Sequence, residues 1–146
     1  MRRLAITPDG STLAVSSDDG TIRVWDVAAR RIAATLGGHT GLVLGVEFSP
    51  DGSTLAATTY NDGSVRLWDT RTARVRATLT DPTLKVGLPR VRFSPNGHAL
   101  ATLTSNGARV WSTDADYVAT RVCRLSTGHH WAQLLPDQRV EGLCPT

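Results

Sequence analysis

The sequence predicts an all-β chain of about three four-stranded antiparallel sheets, closed at its C-terminal end by a short α-helical cap. Three observations predict it. The phrase Pro8-Asp9-Gly10 returns as Pro50-Asp51-Gly52 and as Pro95-Asn96-Gly97, and a tryptophan follows each, at Trp25, Trp68 and Trp111, evenly 43 residues apart. Apolar residues alternate with others on both sides of the turns, the period of two that half-buried strands require. A fixed period of this size marks a repeat architecture and outranks any local reading.

Taken in order, the second copy is the clearest. Val46 and Phe48 precede its turn and Leu55 and Ala57 follow it, so Asp-Gly joins two strands into a hairpin. Asn61-Asp62-Gly63 makes a second turn into Ser64-Val65-Arg66-Leu67-Trp68-Asp69, and Arg74 to Leu79 supplies a fourth strand. The first copy repeats this with Asp18-Asp19-Gly20, Thr21 to Asp26 and Arg31 to Leu36. In the third copy Asn96 and Asn106 replace the turn aspartates and Ser112 follows Trp111; Gly107 to Trp111 is one residue shorter than Gly63 to Trp68, which unsettles its pairing register. Leu55 to Asp62 is one residue longer than Leu13 to Asp19, so a β-bulge is expected there.

Composition restricts the function classes. Sixteen Lys and Arg against 13 Asp and Glu leave a net charge of +3, dispersed through the strands rather than gathered into the basic face that nucleic acid requires. No window is long and apolar enough to span a membrane, and the residues after Met1 lack the apolar core of a secretory signal. A cytoplasmic location is therefore the expectation, with no nucleic-acid or membrane partner. Cysteines there are ordinarily reduced.

Thr21 to Asp26, Ser64 to Asp69, and Gly38-His39 set 29 residues before Trp68 resemble the WD-repeat family, over residues 1 to about 112. The resemblance implies a partial β-propeller: blades at about 1–37, 38–81 and 82–112, then a helical tail over 113–146. It also implies a structural tetrad in which His39, Thr59, Asp62 and Trp68 form a hydrogen-bonded chain ending on the indole N–H, with Thr58 an alternative to Thr59. The first copy keeps Ser17, Asp19 and Trp25 of that set, and the third keeps Trp111. Three blades are fewer than a closed ring needs, so self-association or additional blades are expected.

Beyond Trp111, Tyr117 and Val118 stand at helical spacing from Val122 and Leu125, and Thr127 is placed to cap a second short helix that ends before Pro136. An outer strand through 117–122 is the rival. The tail resembles the one that closes many bacterial WD-repeat proteins carrying a signal-transducing NTPase or kinase module. For Cys123 and Cys144, buried thiols and a disulfide both stay open; the adjacent His129 and His130 offer no spaced ligand set for zinc.

The expected function is a non-catalytic protein-interaction scaffold or sensor module, the C-terminal piece of a larger bacterial signalling protein. The alternative is the regulatory half of an NTPase, kinase or protease whose catalytic domain lies upstream. No phosphate-cradling glycine loop, Cys-His pair or carboxylate cluster suggests catalysis, a cofactor or a metal. His39 near Asp62 has no nucleophile to serve. Candidate partner-binding residues are Leu42, Leu44, Lys85 and Pro89, at the entries of the innermost strands.

Overall fold

A computed structural model describes residues 3–60, 62–80, 89–104 and 107–113. The chain divides into two compact units between Trp111 and Ser112, and the architecture below is that of the first. Its first sheet runs β1 (Leu4–Ile6), β2 (Thr12–Ser16), β3 (Ile22–Asp26) and β4 (Arg31–Leu36); its second, β5 (Val43–Phe48), β6 (Thr54–Thr59), β7 (Ser64–Asp69) and β8 (Val75–Thr80). The third holds β9 (Arg90–Phe93), β10 (Ala99–Thr104) and β11 (Gly107–Ser112). Each strand pairs with its sequence neighbour, so every sheet is a meander. The third sheet has three strands among the described residues rather than the expected four. The helical cap, its rival strand, Cys123 and Cys144 lie outside the described residues.

The Pro-Asp-Gly phrase folds the same way each time. Gly10, Gly52 and Gly97 take φ of 72°, 71° and 74°, a conformation that a side chain would strain. The hydroxyl before each proline also braces the turn. Ser49 Oγ donates to Asp51 and accepts Thr54 N–H at 2.9 Å, while Ser94 Oγ donates to Asn96 at 2.7 Å and accepts Ala99 N–H at 2.9 Å. Thr7 Oγ1 donates to Asp9 at 2.6 Å. With the further donors of Ser11, this holds the Asp9 carboxyl at about 2.

Register sorts each sheet into two faces. Ile6, Leu13, Trp25 and Ile32 are paired partners on one face of the first sheet; Ala5, Ala14, Val24 and Ala34 share the other. That second face packs on Val43, Phe48, Leu55, Ala57 and Trp68 of the second sheet. In turn Ala56, Val65 and Leu67 pack on Val91 and Leu100 of the third. Core therefore lies between sheets. Phe48, Leu55, Trp68 and Val75 stand where Ile6, Leu13, Trp25 and Ile32 stand one sheet earlier.

A register shift opposite the tryptophan recurs in both four-stranded sheets, between Val24 and Trp25 and between Leu67 and Trp68. The bulge expected on β6 falls instead on β5, between Val43 and Gly45. Glycine is needed there, because a Cβ at residue 45 would collide with Thr58 Oγ1, which donates to the Pro89 carbonyl at 3.1 Å. Gly20 has a different constraint: its φ is 82°, and a Cβ would lie 3.0 Å from the His39 carbonyl oxygen and 3.2 Å from that of Gly41. Gly20→Ala is expected to lose about 1–3 kcal/mol in urea denaturation, whereas Gly10→Ala, with open space around its Cβ, loses only the cost of its φ.

Candidate functional site

The loop entering the second sheet delivers His39 into the seam between the first two sheets. Its side chain is 1% exposed, and Nδ1 lies 2.8 Å from Asp62 Oδ2. Asp62, at the turn into β7, also accepts the Ser64 N–H at 2.9 Å and the Ser64 hydroxyl at 2.8 Å. The His39 ring meets the Trp68 indole edge-on, with centroids 5.3 Å apart. The expected relay through Thr59 does not close: Thr59 Oγ1 and His39 Nε2 are both buried without a hydrogen-bond partner. Thr59 instead bears on Asp62, whose carboxyl it helps to hold below its usual value. Arg66, which sequence reasoning passed over, also has its Nε buried without a partner.

In the first copy, Asp19 braces its own turn by accepting the Thr21 N–H at 2.9 Å and hydroxyl at 2.7 Å, and Trp25 stays half-buried on the outward face. The third copy makes a bond the sequence reading missed: Trp111 Nε1 donates to Thr102 Oγ1 at 3.0 Å. Strand alternation from Leu100 was the signal that could have found it.

Burial pushes His39 below the usual histidine value, against the hydrogen bond and charge of Asp62, which raise it; Arg66 lowers it further. Burial pushes Asp62 upward, yet Thr59, His39 and Ser64 together outweigh this and hold its carboxyl at about 2. Because the folded state favours neutral His39, its contribution to stability is complete above the unfolded value of 6.5 and is lost as pH falls below it. Asp62 adds a second loss between 3.8 and about 2. Thermal melts by circular dichroism are expected to show a midpoint that is flat above pH 7 and falls below 6.5, with the first fall absent in His39→Gln. A midpoint rising between pH 7 and 5.5 would reverse the assignment.

The second cluster is a groove along the innermost strands β1, β5 and β9, of about 390 Å³. Arg3, Glu47, Arg90 and Arg92 line it. Arg3 Nε donates to the Leu44 carbonyl at 3.1 Å, joining the first sheet to the second. Glu47 bridges the second to the third: it pairs with Arg92 at 3.2 Å and accepts the Phe93 N–H at 3.1 Å. Outside the residues that line it, Leu42 just before β5 and Tyr60 just after β6 are 43% and 41% exposed and are tied by Tyr60 N–H to the Leu42 carbonyl at 3.0 Å. The other candidates differ. Leu44 and Pro89 are buried, and the Pro89 carbonyl accepts from Thr58; Lys85 lies outside the described residues.

Among the described residues, no group of three or more His, Cys, Asp or Glu is placed to hold a metal, and no helix is long and apolar enough to cross a membrane. Residues 2–26 and 30–69 match the family described as WD domain, G-beta repeat. The chain is similar to U3 small nucleolar RNA-associated protein 21 of Saccharomyces cerevisiae, 29% identical over 88% of this chain and 14% of that protein. Ribosome assembly protein 4 of Chaetomium thermophilum is 53% identical over 31% of this chain and 9% of its own length. An uncharacterised WD repeat-containing protein of Synechocystis is 43% identical over 34% of this chain and 15% of its own. The chain thus spans less than a sixth of each of these relatives.

Proposed function

We propose that this chain, whose residues 2–26 and 30–69 match the WD40 repeat family, is a non-catalytic protein-interaction scaffold working as part of a larger signalling protein. The observation that carries the reading is the exposed pair Leu42 and Tyr60 at the entry of β5, an aliphatic and an aromatic side chain held side by side by a backbone hydrogen bond. Exposed aromatics beside aliphatic neighbours are what partner surfaces are built from. The outward first-sheet face supports further blades, since it repeats the positions by which the second sheet is buried.

Selection of a random twelve-residue peptide library on the immobilised 146-residue chain tests this. Enriched peptides are expected, and Leu42→Asp should abolish their binding while leaving the melting profile intact. Failure to enrich any peptide sensitive to Leu42 would overturn the scaffold reading.

A further inference from the structure

We propose that the groove along β1, β5 and β9 takes an acidic peptide segment of the partner, its carboxylates on Arg3 and Arg90. This rests on the interaction reading above and adds the partner's chemistry. Three guanidinium groups and one carboxylate line the groove, and that carboxylate, Glu47, is engaged by Arg92 and by the Phe93 N–H. The remaining field is positive. Arg3 uses Nε on the Leu44 carbonyl, which fixes its guanidinium beside β5 and still leaves NH groups that suit carboxylates. Arg90 is exposed at the start of β9, as Arg3 stands at the start of β1 and Leu42 just before β5. The two guanidinium groups thus stand at corresponding strand starts and both line the groove.

A peptide suits this groove better than a nucleic acid does. Strand binding needs a run of basic residues interleaved with stacking rings, and here the aromatic residue among those lining the groove, Phe48, is buried while Arg92 is already paired. Oppositely charged surfaces chiefly raise association rates and exclude wrong partners, so selectivity for acidic sequence and sensitivity to salt are the signatures to seek.

Fluorescence anisotropy on the full chain tests it with three probes: a labelled nonapeptide alternating glutamate and leucine, its glutamine-for-glutamate counterpart, and a uridine nonamer. The acidic peptide is expected to bind at least tenfold more tightly than the neutral one, and to lose at least tenfold in Arg90→Glu and in Arg3→Ala. Arg90 is exposed, so Arg90→Glu keeps the test valid even where Arg3→Ala does not fold. Equal affinity for both peptides, lost in Leu42→Asp but unchanged in Arg90→Glu, overturns the acidic assignment and leaves the scaffold reading standing. Tighter binding of the uridine nonamer overturns it in favour of nucleic acid. No binding by any probe also overturns it, and the scaffold reading is then judged by the library selection alone.

Discussion

Trp68→Ala is expected to destabilise the chain by about 3–5 kcal/mol, the range for truncating a buried aromatic residue. Trp68 is 1% exposed and is among the largest fully buried side chains. Its ring packs with Leu55 and Phe48 in the seam between the first two sheets and meets His39 edge-on. Removing it leaves a cavity lined from both sheets, and it strips the apolar wall that keeps His39 neutral. The matched control is Trp25→Ala. Trp25 occupies the same register position one sheet earlier but is half-buried, so its loss should cost less than about 2 kcal/mol. Urea denaturation followed by circular dichroism separates the two; equal losses would mean that the seam is not where the stability resides.

Asp62→Ala carries the second large effect, about 2–4 kcal/mol. It removes the acceptor for His39 and for both donors of Ser64, and leaves an imidazole with neither nitrogen paired inside the seam. Orphaning a buried polar group costs the full desolvation of that group. Asp62→Asn, which keeps an oxygen acceptor, should recover part of the loss. In the first sheet, Asp19→Ala touches an exposed turn whose carboxylate braces Thr21, and a much smaller loss is expected. Should the Asp19 and Asp62 variants prove equal, the histidine would contribute nothing.

Strands were legible because period two and the tryptophan spacing are local properties of the chain. Arg31 to Leu36 appears as read, and the fourth strand of the second copy is displaced by one residue, to Val75–Thr80. His39 and Asp62 were legible because a glycine-histidine and an aspartate-glycine turn stand at recognisable spacing. How the Thr59 hydroxyl meets the histidine was not legible, because it depends on the register of β5 and β6, where the shift falls between Val43 and Gly45. The turn hydroxyls of Thr7, Ser49 and Ser94 were missed although a serine or threonine precedes all three prolines, and that repeated position was a usable signal. Glu47 with Arg92, and Arg3 with Leu44, join different sheets about 40 residues apart, so their pairing follows from how sheets stack. No periodicity along one strand reports that.

The two unlike faces of each sheet have a consequence for how such units can be joined. The face carrying Trp68 meets the face carrying Ala14 and Val24, never its own kind. Contacts of this sort are heterologous: they have a head and a tail. Copies meeting through them would add in one direction, each new unit offering the same unused face as the last. A symmetric pair would satisfy neither end. Lengthening the array by duplication therefore requires no newly invented contact surface, because the incoming sheet and the standing one already carry complementary sides.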